Sequence, residues 1–113
     1  MPFIDSKVTV KMSDDKLETV KSELGKAISV LGKTESFLMV GFEDDYDLFL
    51  GGNKLDAGAF VSVKVFGQVN SAASSEMTAK ICAIYEEQLG IPAKNVYVTY
   101  QGFSDWGWNG SNF

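Results

Sequence analysis

Hydrophobic and polar positions change rhythm in a fixed order along the chain. The run from Phe3 to Val10 is β-branched and partly alternating, which predicts a strand. Leu17, Val20, Leu24, Ile28 and Leu31 then recur at three- and four-residue spacing and form one apolar stripe on a helix. Ser13 can cap the free N–H groups at the start of that helix, Asp14 and Asp15 suit the positive end of its dipole, and Gly32 is a natural stop. A second strand is expected over Phe37–Phe42, followed by the acidic loop Glu43–Asp47 and a turn at Gly51-Gly52-Asn53.

The second half repeats this order. Ala59–Phe66 predicts a strand with a β-branched interior, and Ser71–Leu89 a helix with Ala73, Met77, Ile81 and Ile84 on one face. Gly90 ends the helix, Pro92 prevents its continuation, and Val96–Tyr100 is the next strand. A duplicated β-α-β unit follows, with pseudo-repeats over about 1–57 and 58–113. Two such units predict an α/β two-layer sandwich, a four-stranded sheet with both helices on one face, and right-handed crossovers make the strands within each unit parallel. Phe3, Val61, Val63, Val96 and Val98 are expected to load the other sheet face with apolar surface, so a partner subunit is expected to cover it. At the end of the chain, Asn109-Gly110 is a tight-turn signal that folds the aromatic tail into a hairpin. Trp106, Trp108 and Phe113 are then expected to bury large areas at a contact between subunits.

Composition narrows the chemistry. With 113 residues and 45% hydrophobic content, the chain suits one domain and one core. Ten basic against 15 acidic residues give a formal charge of -5, with no basic cluster for phosphates, so no nucleic-acid partner is expected. The single Cys82 lies inside the second helical pattern, where a small buried hydrophobe is the ordinary role, and it cannot form an intrachain disulfide. No apolar run approaches the roughly 18 residues that span a membrane, and no signal-peptide pattern opens the chain. A cytoplasmic protein, or one released by a non-classical route, is the expectation. Histidine is absent, which removes Ser-His and Cys-His nucleophiles and the usual zinc and iron ligand sets.

Chemistry must therefore come from amines, carboxylates, hydroxyls or backbone, and the second residue is a proline. If the initiator methionine is trimmed, which a small second residue favours, Pro2 begins the chain as a free secondary amine. An α-amino group titrates at about 7.7–8.0, and burial lowers that further, so Pro2 could serve as base and acid at one pH. An ordinary proline stiffening an exposed end is the plainer alternative.

Several stretches taken together resemble macrophage migration inhibitory factor and its tautomerase relatives. They are Pro2 behind the initiator, Leu31-Gly32-Lys33 after the first helix, the β-α-β duplication, Val96-Tyr97-Val98-Thr99-Tyr100, and the ending Trp108-Asn109-Gly110-Ser111-Asn112-Phe113. The resemblance covers essentially the whole chain. It implies a homotrimer with active sites between subunits, and keto-enol tautomerisation of small α-keto acids such as phenylpyruvate, or of dopachrome-like substrates, without cofactor or metal. In this family reading Pro2 moves the proton. Lys33 and the backbone N–H of Phe66 hold the substrate carboxylate, Tyr97 comes from the adjacent subunit, and Phe3, Met39, Trp106, Trp108 and Phe113 supply apolar walls. The residues themselves leave alternatives open: Lys33 also complements a helix C-terminus, Tyr97 also suits strand packing, and the tail also suits an interface plug.

Four positions, in three departures, differ from the family pattern. Thr99 stands where mammalian members carry an asparagine that reaches a substrate hydroxyl, and Trp106 replaces a smaller aliphatic residue. Gly58 and Val61 occupy the positions of the family's Cys-x-x-Cys stretch, so a thiol-disulfide oxidoreductase activity has no basis. The competing expectation is a secreted cytokine-like, host-modulating protein that binds a receptor ectodomain and keeps only vestigial turnover.

Overall fold

The computed structural model describes residues 1–113. Its elements are β1 (Pro2–Val8), α1 (Asp14–Ala27), β2 (Met39–Glu43), β3 (Phe49–Leu50), β4 (Asn53–Lys54), β5 (Ala59–Phe66), α2 (Ser71–Leu89), β6 (Val96–Phe103), β7 (Gly107–Trp108) and β8 (Ser111–Asn112). The main sheet runs β2-β1-β5-β6. Within each repeat the strands are parallel, β1 with β2 and β5 with β6, and the two repeats meet antiparallel through β1 and β5. This is the expected two-layer architecture; the short hairpin β3-β4 is inserted at the end of the first repeat.

The helix termini follow from local chemistry. The Ser13 hydroxyl accepts from the Lys16 N–H, Asp14 and Asp15 occupy the first turn of α1, and the Asn70 side chain accepts from the Ala73 N–H at the start of α2. The first apolar stripe is not one continuous α-helix. It stops at Ala27 and tightens into a 3-10 turn over Ile28–Leu31, closed by Gly32 at φ 72°. A second 3-10 turn, Glu35–Phe37, occupies the start of the stretch expected as a strand, so β2 begins only at Met39. At the other edge β6 continues three residues past Tyr100 to Phe103, because each of them still has a parallel partner on β5.

Strict alternation along β1 and β5 decides where the core lies. Ile4, Val8, Val61, Val63 and Val65 pack with Val20 and Leu24 of α1 and with Met77, Ile81 and Tyr85 of α2. Each fully buried aliphatic side chain contributes roughly 1.5–3 kcal/mol of transfer free energy. One polar position interrupts the pattern: Ser6 is buried, and its hydroxyl meets the Tyr85 hydroxyl at 2.5 Å. The pair satisfies both groups in an otherwise apolar layer.

This register corrects the expected loading of the sheet. Val61, Val63 and Val96 are buried in the core, and Val98 packs against it from the helix side. A strand shows alternate residues to opposite faces, so these valines could not share a face with Phe3. The open face instead carries three cross-strand rows: Met39-Phe3-Lys64-Gln101, Gly41-Asp5-Ser62-Thr99 and Glu43-Lys7-Phe60-Tyr97. It is a mixed surface with apolar positions at Phe3, Met39, Phe60 and Tyr97. The last of these is 57% exposed and Met39 is 68% exposed, which leaves room for a covering partner; of the residues expected there, Phe3 lies on this face and the four valines do not.

Candidate active site at the amino terminus

β1 begins at Pro2, which is buried and lies in register with Val65 of β5. Met1 precedes it, and the Met1 carbonyl accepts a hydrogen bond of 2.9 Å from the Phe66 N–H, so the first peptide unit continues the β1-β5 ladder. Lys33 arrives from the left-handed turn at Gly32. Its ammonium donates to the Phe66 carbonyl at 3.1 Å and has no carboxylate within ion-pairing distance. An ammonium has three donors, so two remain for another acceptor. Burial, and then the Lys33 charge, hold the Met1 amino group below the ordinary α-amino value. Phe66 is thus engaged through both backbone groups, its N–H by the chain terminus and its C=O by the lysine.

A cavity of about 550 Å³ opens beside this corner, lined by Met1, Pro2, Phe3, Ser36, Phe37, Leu38, Met39, Trp106, Gly107 and Trp108. Its volume falls within the roughly 300–1,000 Å³ typical of small-molecule sites, and its lining is mostly apolar. The tail forms the expected hairpin: β7 and β8 pair, Asn109 and Gly110 both take positive φ (53° and 90°), and the Phe113 N–H donates to the Trp106 carbonyl at 3.0 Å. Its rings are chained. Phe66 lies against Phe113 at 5.3 Å between centroids, Phe113 stacks on Trp108 at 6.4 Å, and Trp108 meets Phe37 edge-on at 6.0 Å. Trp106 is held edge-on by Phe103 at 6.1 Å. Trp108 and Phe113 nevertheless stay 52% and 57% exposed, so the tail's large burial is not achieved within one chain.

The structure therefore brings Pro2, Phe3, Met39, Trp106 and Trp108 to one cavity; Phe66 is tied to it through its bond to Met1 and Phe113 through its stacking on Trp108, and Lys33 is linked to it only through the Phe66 carbonyl. Lys33 lines a separate recess of about 70 Å³ with Leu31, Val65, Gln68, Val69, Asn70 and Ala73. Tyr97 and Thr99 are not brought there. Pro2 is level with Val65 and Gly102, and Tyr97 lies five residues before Gly102, about 17 Å along the strand at roughly 3.3 Å per residue. Tyr97 instead borders an apolar cavity of about 300 Å³ with Leu48, Phe49, Leu50, Leu55, Ala59, Phe60 and Asn95. Ser36, Phe37 and Leu38 join the lining although their sequence pattern suggests only a strand or the approach to one. The helical pattern before them carries no signal that a 3-10 turn aims them at Pro2.

A family description reading "Macrophage migration inhibitory factor (MIF)" matches residues 1–113. The macrophage migration inhibitory factor homolog of Trichinella spiralis is 26% identical over 115 aligned residues, covering 100% of each chain. Among solved structures, MIF2 of Leishmania major superposes with a TM-score of 0.93 at 33% identity, covering 100% of this chain and 97% of that one. The macrophage migration inhibitory factor homologue of Prochlorococcus marinus superposes with a TM-score of 0.88 at 27% identity, with 98% of both chains covered. With the whole length matched, and with the duplicated β-α-β sheet and amino-terminal corner in place, the chain belongs to the macrophage migration inhibitory factor family.

Proposed function

We propose that this protein is a tautomerase that interconverts keto and enol forms of small α-keto acids, of the phenylpyruvate or dopachrome type, with the Pro2 amine as acid and base once Met1 is removed. The observation that carries the reading is the corner itself: a buried Pro2 opening onto an apolar cavity, with an unpaired lysine ammonium and the Phe66 amide beside it. Burial and the Lys33 charge lower the Met1 amino group, and an amine at the buried Pro2 position meets influences of the same sign. A shift in that direction favours the neutral form of such an amine, the form that can take a proton.

In this reading the substrate carboxylate binds the free donors of Lys33 and the Phe66 N–H, and the apolar side chain lies against Trp108, Phe37 and Phe3. The Pro2 nitrogen takes the proton from the carbon next to the carbonyl, and the electron pair moves into the enol. The proton is delivered to the oxygen end. No redox change and no cofactor is required by this balance. Tyr97 and Thr99 reach a neighbouring subunit's site in a homotrimer, which accounts for their distance from Pro2 in their own chain and for their exposure.

The test is intact mass and phenylpyruvate tautomerisation on one sample, comparing the trimmed wild type with Pro2→Gly and Lys33→Ala. Turnover by the wild type with most activity lost in both variants supports the reading. A trimmed wild type without turnover defeats it for this substrate class and favours a receptor-binding role.

A further inference from the structure

With Met1 present, the Phe66 N–H is already satisfied: it donates to the Met1 carbonyl at 2.9 Å. That carbonyl oxygen is an acceptor held within one residue of Pro2, and Met1 also lines the cavity. The Lys33 ammonium is bound to the carbonyl of the same residue, Phe66. A peptide carbonyl and a carboxylate oxygen make the same demand on a backbone N–H, so the two compete for one donor.

We infer that Met1 occupies the carboxylate seat of the cavity with its own carbonyl, so that the untrimmed chain is closed to carboxylate ligands as well as lacking a basic nitrogen. The identity of the seat rests on the proposed tautomerase reading, but the claim concerns binding rather than proton transfer. Trimming then does two things in one step. It turns the Pro2 amide into an amine and it releases the Phe66 N–H. A half-buried N–H without a protein partner is open to an acceptor, and an arriving carboxylate supplies one. Lys33 keeps its place in both forms, because its own acceptor is the Phe66 carbonyl and not the terminus.

The closing experiment uses 3-phenylpropanoate, an aryl carboxylate with no carbonyl to enolise. Its dissociation constant is measured by calorimetry on the trimmed chain, the Met1-bearing chain and an untrimmed Met1→Gly chain released from a cleavable fusion, with the Phe66 amide resonance followed by NMR. The trimmed chain is expected to bind at least about tenfold more tightly than either untrimmed form, which corresponds to one well-made hydrogen bond to a charged group. The Phe66 amide should shift on binding in the trimmed chain only. Equal affinity in trimmed and Met1-bearing chains overturns the inference, as does absence of binding to the trimmed chain. Recovery of binding in the Met1→Gly chain also overturns it, because that chain keeps the carbonyl and loses only the side chain. Phenylpyruvate turnover by the same trimmed sample separates the two claims. Turnover without a binding difference leaves the tautomerase reading standing and the inference fallen, and a binding difference without turnover does the reverse.

Discussion

The Lys33 ammonium sits 3.1 Å from the carbonyl of Phe66, and no carboxylate shares it. Lys21, Lys26 and Lys54 instead each lean on an acidic neighbour at the surface. A cation anchored to a neutral carbonyl beside a cavity remains available to an anion. Lys33→Ala is therefore expected to lower kcat/KM for phenylpyruvate by about 10–100-fold, the equivalent of one charge-assisted hydrogen bond, chiefly through KM. Melting temperature should barely move, and steady-state kinetics beside a thermal melt checks both halves.

Behind Phe66 the backbone turns through Gly67 at φ 99°, and Gly102 of β6 passes so closely that an added Cβ would run into the Gly67 carbonyl. The neighbour is main chain, which cannot rotate away. Gly102→Ala is expected to cost about 1–3 kcal/mol, as overpacking does, and to displace Phe66 from both Lys33 and Phe113. Denaturant unfolding measures the first effect. The second appears as a loss of turnover larger than the fraction unfolded explains.

The strand and helix order is legible in the sequence because alternation is strong over Ala59–Phe66 and three-to-four spacing is clear through Leu17, Val20 and Leu24 of α1. Facing is not. Val61 and Phe60 are both apolar neighbours, and only the packing of the sheet against the helices shows that Val61 goes inward and Phe60 outward. Ser6 and Tyr85 are likewise invisible, since a buried hydroxyl pair 79 residues apart leaves no local pattern. The candidate site is readable at Pro2, Lys33 and the tail, whereas Ser36, Phe37 and Leu38 enter only through a 3-10 turn that propensity does not announce.

The Ser6–Tyr85 pair makes a pH prediction. Burial, opposed by the Ser6 hydrogen bond, pushes the Tyr85 phenol up to about 12. In the unfolded chain a tyrosine ionises near 10, so between about 10 and 12 the folded state holds a proton the unfolded state has lost. Stability is thus full below pH 10 and falls as pH rises through that window, by roughly 3 kcal/mol at the top. Tyr85→Phe should lessen this alkaline fall and leave the part that the Tyr100 phenol and the Cys82 thiol, both also pushed up by burial, contribute. At pH 7 the same variant should cost about 1–3 kcal/mol, because it strands the Ser6 hydroxyl, and adding Ser6→Ala should recover part of it. Urea titrations at three pH values, near neutrality, at about 10 and between 10 and 12, check both effects.

Trp108 is stacked on Phe113 and edge-on to Phe37, yet half exposed, so its rings serve the cavity wall more than the core. Trp108→Ala is expected to raise KM for phenylpyruvate by about tenfold, from lost aromatic contact of roughly 0.5–1.5 kcal/mol plus apolar area. For pyruvate, which has no ring to place there, KM should change little. Equal losses for both substrates would assign the tryptophan to folding of the hairpin.

Tyr97 supplies the sharpest test of assembly, because it lies about 17 Å along the sheet from the level of Pro2 at roughly 3.3 Å per residue. Within one chain it cannot touch a substrate at that corner. If it serves the site of the next subunit in a closed ring, a site needs Pro2 from one chain and Tyr97 from another. Pro2→Gly and Tyr97→Ala chains should each form poorly active assemblies by themselves. Unfolded together and refolded at equal amounts, they should regain about one quarter of wild-type turnover, since about one ordered neighbour pair in four then unites both intact residues. No gain on mixing, with both parents folded and trimeric, would place Tyr97 in strand packing alone. Full activity in the Tyr97→Ala parent would lead to the same conclusion before any mixing, and would leave its ring as a wall of the Leu48–Phe49–Leu50 cavity.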